Sequence, residues 1–459
     1  MRFSFLFLFL FITCFSLHAQ HIKRRGAIGI IQQPMNDSLA KSLGIDPGNG
    51  VFVKSVTPGT AAEKMGVLAN DVILKINDKV IRSYKDLTEI SAMSIAGDPV
   101  KIELNRNKQI LSKEGVILPR SMGYPDNVKI DLDEFPFENG YIRTILFRPN
   151  GSDTGLPVIY FIQGFPCFSM QYMQPDFPYR TAINSFVEKG YAVYVVEKPG
   201  MGDEASPGTE NCSRIGFNKE LQIFQKGYEK LLSVREIDKK KVFIFGHSLG
   251  GFIAPLIAAQ TSPGGVIVYG CGLKPWHDYY LDLVREQEPL LGVDYADAED
   301  SAAKYRAVFY KYFFENKSPE ELIAEDPANR EILKSALNFD GKDQLIQRHY
   351  SFWQELNRHN LARAWKDTKA PVLSIFGEAD IAALKATDMV RITEIVNNYR
   401  PGTATYLFVP QTNHEMVKTG TMKENVAIQY SRGYNQYLKN NFNYELINDI
   451  DKWIKTQIR

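Results

Sequence analysis

Residues 242–254 read VFIFGHSLGGFIA. The four apolar residues at the start indicate a short buried strand, and the apolar run after the glycines indicates the start of a helix. Between them, Ser248 stands in a Gly-x-Ser-x-Gly pattern, whose glycines permit a turn too tight for a Cβ atom. A serine at such a turn lies at the helix N-terminus, where the helix dipole favours developing negative charge. The stretch therefore predicts Ser248 as a nucleophile.

Short apolar runs alternate with helical stretches from residue 136 to residue 459. Continuous apolar strands are typical of a parallel sheet covered on both faces, and alternation with helices is typical of a doubly wound α/β domain. Six strands are predicted, over residues 158–163, 192–197, 242–245, 266–269, 372–376 and 406–409. Between about 273 and 366 the alternation stops, and an aromatic-rich helical sequence predicts an insertion over one end of the sheet.

Residues 136–459 resemble the α/β-hydrolase superfamily, in which the nucleophile is followed along the chain by an acid and then a histidine. The resemblance implies a doubly wound, mostly parallel sheet with a helical lid. It also implies Asp380, in the loop after the strand at 372–376, as the catalytic acid. Glu378 is a close rival for this role, and Asp278 is a distant one. The structural alternative for Asp380 is the N-cap of a helix.

The base implied by the resemblance is His414, in the stretch PQTNHEM that follows the last strand. The other histidines lie at the N-terminus, inside the serine turn or in the helical insertion. His414 would take the proton of Ser248 and later protonate the leaving group, while Asp380 holds the histidine tautomer.

The same chemistry needs two backbone N–H groups aimed at the developing oxyanion. Leu249, directly after the nucleophile, is expected to supply one of them. Phe165, in the loop that follows the strand at 158–163, is expected to supply the other. The family often has His-Gly in this loop where the present chain has Gln163-Gly164. Because the donor is a backbone group, this departure need not abolish the function.

The sequence contains four cysteines, of which Cys14 lies in an apolar leader. The remaining three, Cys167, Cys212 and Cys271, allow one disulfide and one free thiol, and the spacing alone does not give the pairing. In the fold implied by the resemblance, the loops that carry Cys167 and Cys212 rise at the same end of the sheet. A Cys167–Cys212 disulfide that braces the oxyanion loop is therefore a hypothesis. None of the cysteines occupies a nucleophile turn.

Residues 26–118 have a different texture, with short strand-like runs and one helical stretch at about 83–96. The segments VFVKSVTPGTAA, residues 51–62, and MGVLANDVILKIN, residues 65–77, resemble a PDZ domain of the type found beside bacterial envelope proteases. This resemblance implies a small, mainly β domain. Residues 119–135 are interpreted as a linker to the hydrolase-like region.

The PDZ resemblance implies a loop whose N–H groups bind the C-terminal carboxylate of a peptide, next to a strand edge that accepts an added strand. In this chain the loop is Ala27-Ile28-Gly29-Ile30, with Leu87 and Ile90 expected to line a pocket for an apolar terminal residue. Ala27 replaces the first glycine of the family pattern, and Asn70 stands where a glycine is common. The alternative is a module that only packs against the hydrolase.

The chain begins with Met1-Arg2, continues with an apolar run over 3–17 and reaches His18-Ala19-Gln20. This pattern predicts a signal peptide over residues 1–19 and an exported protein, periplasmic or secreted. The run is shorter than the roughly 20 apolar residues of a membrane span, although an uncleaved anchor is the rival interpretation. No integral membrane span is expected elsewhere.

The composition has 54 basic and 53 acidic residues, a net charge of +1. This balance gives no electrostatic reason to expect nucleic acid or an anionic membrane as a partner. No cofactor and no metal are expected, because there is no metal-ligand cluster and Gly200 and Gly202 lack the third glycine of a dinucleotide fingerprint.

The combined features predict a serine hydrolase that cleaves a carboxylic ester or amide through an acyl-serine intermediate, with an esterase preferred. Its substrate would be a small-molecule ester or a peptide. The first alternative is a serine peptidase, in which Glu320, Glu321 or Glu325 of the insertion binds an amino terminus. A solvated helix face is the favoured interpretation of these carboxylates. The second alternative is a catalytically inert PDZ adaptor.

Overall fold

A computed structural model describes residues 21–43, 45, 48–151, 154–203 and 209–458. The predicted signal peptide, residues 1–19, lies outside the described residues. Within the described ranges, no helix combines the length and the apolar character that a membrane span requires.

The N-terminal module is built on a sheet with strand order β2-β3-β4-β6-β7, in which β5 also pairs with β4. Inward-facing residues alternate along β6, and its apolar side chains pack with those of β3 and β4 into a core of their own. Its strands are β1 Gly26–Ala27, β2 Ile30–Gln33, β3 Val51–Val56, β4 Val72–Ile76, β5 Lys79–Val80, β6 Pro99–Arg106, β7 Gln109–Val116 and β8 Leu118–Pro119. Its helices are α1 Asp37–Leu43, α2 Ala61–Lys64 and α3 Tyr84–Met93.

The helix predicted at about 83–96 is α3, which begins after Ser83. The Ser83 side chain accepts the backbone N–H of Asp86, and the Asp86 carboxylate accepts the backbone N–H of Ser83 in return. This reciprocal cap satisfies two N–H groups that the helix itself leaves without a partner.

The second part of the chain forms an eight-stranded sheet with the order β9-β10-β12-β11-β13-β14-β17-β18. From β12 through β18 neighbouring strands are parallel, whereas β10 runs antiparallel to both β9 and β12. The strands of this sheet are β9 Val128–Phe137, β10 Gly140–Pro149, β11 Leu156–Ile162, β12 Ala192–Val196, β13 Ile237–His247, β14 Gly265–Tyr269, β17 Val372–Gly377 and β18 Ala404–Val409. All six predicted strands are present.

Helices cover both faces of the large sheet. Helices α4 and α16 pack on one face, and α5, α6, α13 and the insertion between β14 and β17 pack on the other. The helices are α4 Pro178–Glu188, α5 Phe217–Leu231, α6 Gly250–Ala258, α7 Trp276–Leu290, α8 Tyr295–Phe313, α9 Pro319–Glu325, α10 Asn329–Leu337, α11 Tyr350–Asn357, α12 Leu361–Asp367, α13 Ala386–Tyr399, α14 Met422–Gln429, α15 Tyr434–Asn440 and α16 Tyr444–Gln457. The insertion also holds a short hairpin, β15 Gln344–Leu345 and β16 Arg348–His349. The predicted doubly wound fold with its helical insertion is confirmed.

The predicted linker at 119–135 needs a correction. Strand β9 begins at Val128 and pairs residue for residue with β10, so residues 128–135 of this segment belong to the large sheet. The strand lies at the edge of the sheet and mixes charged with apolar residues, because much of its length is exposed or only partly buried. A search for continuous apolar runs overlooks such a strand.

The start of the described chain binds to the hydrolase-like part. The backbone N–H groups of His21 and Ile22 donate to the Glu134 carboxylate on β9 at 2.6 and 2.9 Å. The backbone N–H of Arg25 donates to Asp203 at 3.0 Å, and the Arg24 guanidinium pairs with the same carboxylate at 3.0 Å. These contacts join the segment that precedes β1 to strand β9 and to the loop that follows β12.

Candidate active site

Ser248 lies on the turn between β13 and α6. Its φ angle is +55°, a left-handed conformation that costs a non-glycine residue on the order of 1–3 kcal/mol and is concentrated at functional sites. Its backbone N–H donates to the Tyr269 carbonyl at 2.9 Å, which ties the turn to β14. A Cβ atom on Gly246 would lie 2.3 Å from the Gly250 carbonyl oxygen, and one on Gly250 would lie 2.0 Å from the Ile162 carbonyl oxygen. Both positions therefore require glycine.

Asp380 and His414 meet in the loops after β17 and β18. The His414 Nδ1 atom lies 3.1 and 2.9 Å from the two carboxylate oxygens of Asp380. Asp380 is fully buried, and one of its oxygens also accepts the backbone N–H groups of Ala382 and Ala383 at 2.8 Å each. The carboxylate is therefore held by its own loop and aimed at the imidazole.

Burial and pairing act in opposite directions on the two groups. Burial alone would lower the pKa of His414, but the charge of Asp380 and its hydrogen bond outweigh burial and raise this pKa to about 9. Burial alone would raise the pKa of Asp380, but the charge and hydrogen bond of His414 and the two loop N–H groups hold it below its ordinary value. The pair therefore favours a carboxylate beside an imidazole of raised basicity.

The rival acids lie elsewhere. The Glu378 carboxylate accepts the backbone N–H of Gln411 at 2.7 Å, and Asp278 pairs with its neighbour His277 at 2.8 Å on α7. Neither contacts His414, so the geometry favours Asp380 over both alternatives.

His414 lies against the serine turn. A Cβ atom on Gly270, at the end of β14, would be 2.9 Å from the His414 Nδ1 atom, and the rings of His414 and His247 have centroids 4.8 Å apart. Among the described residues, neither Ser248 Oγ nor His414 Nε2 has a hydrogen-bond partner, and the two atoms are not hydrogen-bonded to each other.

His247, the residue before Ser248, has a structural role that the sequence reasoning missed. Its Nε2 atom lies 2.7 Å from the His414 carbonyl oxygen, which can only accept, so Nε2 carries the proton. Its Nδ1 atom then accepts the Tyr179 hydroxyl proton, and that hydroxyl oxygen accepts the Gly164 N–H at 3.2 Å. Burial lowers the pKa of His247 to about 3, with a further contribution from the charge of His414, so this ring is neutral.

The predicted oxyanion loop, residues 163–167, lies next to Ser248 at Gly164. A Cβ atom on Gly164 would lie 3.3 Å from Ser248 Oγ. The backbone N–H groups of Phe165 and Leu249 have no acceptor among the described residues, whereas the Gly164 N–H is already bonded to Tyr179. Within the described part of the chain both N–H groups are therefore without an acceptor, and their role as oxyanion donors stays a prediction.

Two of the three cysteines that follow the leader lie side by side. The Sγ atoms of Cys167 and Cys212 lie 2.12 Å apart, at disulfide-bonding distance, and the bond would close a separation of 45 residues. Cys271 is buried and unpaired, and burial raises the pKa of its thiol.

In the N-terminal module, the loop Ala27 to Ile30 runs into β2, which is an edge strand of its sheet. Gly29 has a φ angle of +87°, and a Cβ atom there would collide with the Thr60 side chain. Leu87 on α3 is buried in the module core with Ile28, and Ile90 is partly buried beside them. The residues predicted to form a peptide site are therefore close together in the fold.

The described residues contain no group of three or more histidine, cysteine or acidic side chains that could hold a metal ion. The strand-end loops bring together a serine hydroxyl, an imidazole, a carboxylate and backbone N–H groups. This set of groups is suited to acyl transfer.

Comparison with known proteins covers both parts of the chain. Residues 26–114 match the model of the PDZ domain. Escherichia coli periplasmic pH-dependent serine endoprotease DegQ is 36% identical over 91 residues, which are 20% of this chain and 20% of DegQ. Salmonella typhimurium periplasmic serine endoprotease DegP is 33% identical over 90 residues, which are 19% of each chain. The chain therefore spans about a fifth of the length of these relatives.

Solved structures resemble the second part. Est1E from Butyrivibrio proteoclasticus is 12% identical with a TM-score of 0.41, over 71% of this chain and 98% of Est1E. Pyrococcus horikoshii acylaminoacyl peptidase is 15% identical with a TM-score of 0.40, over 77% of this chain and 49% of that chain. Residues 159–417 match the family model described as alpha/beta hydrolase family. Because this match spans more than half of the sequence, the chain belongs to the alpha/beta hydrolase family.

Proposed function

We propose that the chain is an exported serine hydrolase that cleaves a carboxylic ester through an acyl-serine intermediate. The observation that carries the proposal is the strained turn that presents Ser248 beside the buried Asp380–His414 pair. Strain of this kind persists where the surrounding structure enforces it, and it is common at nucleophiles.

In the proposed mechanism, His414 takes the Ser248 proton as Oγ attacks the acyl carbon. The negative charge that develops on the carbonyl oxygen is bound by the N–H groups of Phe165 and Leu249. His414 then protonates the leaving group, and a water molecule activated by the same imidazole releases the acid. Asp380 keeps the Nδ1 proton in place and stabilises the imidazolium.

The experiment is labelling with a fluorophosphonate, which reacts with an activated serine. We expect wild-type protein to be labelled and Ser248→Ala protein to remain unlabelled. Ser233→Ala is a matched control, because Ser233 lies in a surface turn where its hydroxyl bonds only to Lys230. Folded wild-type protein that takes no label would reject the hydrolase and favour the inert adaptor.

Preference for an ester over a peptide rests on the three candidate carboxylates of the insertion. Glu321 accepts the N–H of Ser318 at 2.7 Å as part of a helix cap, and Glu325 pairs with Lys311 at 2.8 Å. Glu320 is exposed in the first turn of α9. These roles leave no observation that favours an amino-terminus site. Parallel assays on short acyl esters and aminoacyl amides test the preference, and faster amide cleavage would reverse it.

For the N-terminal module we propose capture of a peptide C-terminus. The support is the PDZ match, the edge position of β2 and the loop at Ala27 to Ile30. The test is binding of a fluorescent peptide with a free C-terminal valine, compared with the same peptide carrying a C-terminal amide. We expect the amide to bind at least tenfold more weakly, and equal binding would favour a module that only packs.

Export is supported by the leader pattern of residues 1–19 and by the periplasmic relatives of the N-terminal module. We expect N-terminal sequencing of protein from the periplasmic or secreted fraction to begin at Gln20. Recovery of the chain with Met1 intact would instead favour the uncleaved anchor.

A further inference from the structure

Three charged side chains are buried together beneath the oxyanion loop. Lys198 follows β12, Glu220 lies on α5 and Arg348 lies on β16 of the insertion, and their exposed fractions are 1%, 0% and 0%. The Lys198 Nζ atom is 3.1 Å from a Glu220 oxygen, and Arg348 pairs with the other oxygen of the same carboxylate. Burying three charges costs several kcal/mol per ion before pairing, so such a cluster needs an explanation beyond stability.

Both cations also bond to carbonyl groups of the oxyanion loop. Lys198 Nζ donates to the Gly164 oxygen at 2.6 Å and to the Phe165 oxygen at 3.0 Å. Arg348 Nη1 donates to the Phe165 oxygen at 2.8 Å. The cluster therefore supports this loop. Lys198 contacts the carbonyl groups of both Gly164 and Phe165, whereas Arg348 contacts only that of Phe165.

The contact with Gly164 has a consequence for the next residue. The Gly164 carbonyl and the Phe165 N–H belong to one peptide group, and in a trans peptide these two bonds point in opposite directions. The described part of the chain contains no cis peptide bond. A cation that holds the Gly164 oxygen therefore turns the Phe165 N–H to the opposite side of the peptide, away from the buried cluster. A charge on the carbonyl also polarises the peptide and strengthens its N–H as a donor.

We propose that Lys198 is a positioning residue, which orients and polarises the Gly164–Phe165 peptide so that the Phe165 N–H faces the developing oxyanion. Glu220 holds the lysine in place. The proposal rests on the proposed serine hydrolase function, because an oxyanion forms only if Ser248 attacks an acyl group.

Arg348 provides a matched control. Its carbonyl partner belongs to the Phe165–Pro166 peptide, which has no N–H to orient. Removing either cation leaves one buried cation paired with Glu220, so the charge balance of the two variants is the same. Lys198→Met and Arg348→Met should therefore cost similar amounts of stability and differ in catalysis.

The experiment measures kcat, KM and Tm for wild-type, Lys198→Met and Arg348→Met proteins on a short acyl ester. We expect Lys198→Met to lower kcat roughly 10²-fold, the effect of losing one oxyanion donor, with KM within about threefold of wild type. Arg348→Met should keep kcat within about tenfold while Tm falls as in Lys198→Met. Inhibition by a trifluoromethyl ketone, whose adduct with Ser248 carries an oxyanion, should weaken in Lys198→Met by a factor similar to its loss in kcat.

Equal losses of kcat in the two variants would overturn the proposal, because the cluster would then act only as a structural support. A Lys198→Met variant with wild-type kcat would also overturn it. If the methionine variants do not fold, Lys198→Gln and Arg348→Gln carry the same comparison with smaller losses of polar contacts. Wild-type protein that neither turns over ester nor takes the fluorophosphonate label would reject the proposed function itself, whereas an active wild type with equal variants rejects only the role of Lys198.

Discussion

The turn at residues 246–250 carries Ser248 and lies next to the oxyanion loop at residues 163–167. The two segments are held in place by different kinds of contact. The turn is fixed by backbone contacts, with glycines packed against carbonyl groups and the Ser248 N–H bonded to Tyr269. The loop is fixed by side chains from four other segments of the chain: Tyr179, Lys198, Cys212 and Arg348. The shape of the turn is therefore encoded locally, whereas the shape of the loop depends on residues distributed over the domain.

The largest expected effect tests the groups that act on the serine. Asp380→Asn should lower kcat roughly 10⁴-fold, because an amide cannot hold His414 in the required tautomer or stabilise its cation. Glu378→Gln is the matched control, since Glu378 bonds only to the Gln411 N–H and should keep kcat within a few-fold. Steady-state kinetics on an acyl ester measure both. A comparable loss in Glu378→Gln would move the acid role to Glu378.

The pH profile of kcat/KM for the wild-type protein provides a second measurement of the Asp380–His414 pair. Only the neutral imidazole accepts the serine proton, so kcat/KM should rise as pH rises through the His414 pKa. Burial alone would lower the pKa of His414, but the charge and hydrogen bond of Asp380 raise it to about 9. The rise of kcat/KM with pH should therefore be centred above pH 6.5 in wild-type protein. The stabilisation that the pair gives the fold is fully present below about 6.5 and is lost as pH rises through about 9. A wild-type rise centred at or below pH 6.5 would contradict this assignment.

The next largest effect is expected from a substitution of Gly250 within the serine turn. A Cβ atom on Gly250 would meet the Ile162 carbonyl at 2.0 Å and the Gln163 carbonyl at 3.2 Å, and neither strand nor loop can yield easily. Gly250→Ala should therefore cost about 5 kcal/mol of unfolding free energy, at the upper end for single substitutions. Urea titration measures it, with Gly433→Ala as control because a Cβ there meets nothing within 4 Å. Equal midpoints would show that the turn tolerates a side chain.

This difference between turn and loop explains how much could be predicted from sequence. Ser248, Asp380 and His414 each follow a strand of the parallel part of the sheet within a few residues, so a local pattern points to all three. The Lys198–Glu220–Arg348 cluster left no such signal, because charged side chains in a sequence normally indicate surface and these meet only after the sheet and insertion assemble.

The other missed features have the same kind of origin. The edge strand β9 has a mixed pattern because much of its length is exposed, so it resembles a linker in sequence. The contact of His247 with Tyr179 joins residues 68 positions apart, and nothing in the serine motif specifies that partner. By contrast, the parallel core strands were predictable because burial on both faces leaves a continuous apolar run.

In the oxyanion loop, a smaller effect is expected from loss of the Cys167–Cys212 disulfide. Replacing both Cys167 and Cys212 by alanine should cost about 3–4 kcal/mol, the chain-entropy value for a separation of this length. We expect kcat to fall by less than tenfold, since Lys198 and Arg348 still bond to carbonyl groups of the loop. Thermal unfolding and mass mapping of unreduced peptides test this, with Cys271→Ala as a thiol control. Recovery of free thiols at both positions in folded protein would reject the disulfide.

The smallest effect is expected for the Tyr179 hydroxyl, which connects Gly164 of the oxyanion loop to His247 of the serine turn. Tyr179→Phe removes the acceptor of the Gly164 N–H and leaves His247 Nδ1 buried without a donor, at a cost of about 1–2 kcal/mol. Because neither proposed oxyanion donor bonds to Tyr179, kcat should fall by about tenfold or less.

Tyr191→Phe is the control for this substitution, since it removes a buried hydroxyl that bonds to Asp451 at 2.8 Å and lies just before β12, whereas the site loops follow the strands. Both variants should lose similar stability in urea titrations, and only Tyr179→Phe should lose rate. If the two variants have the same kcat, Tyr179 supports the fold but does not align the turn with the loop. The two sides would then be aligned by the sheet alone.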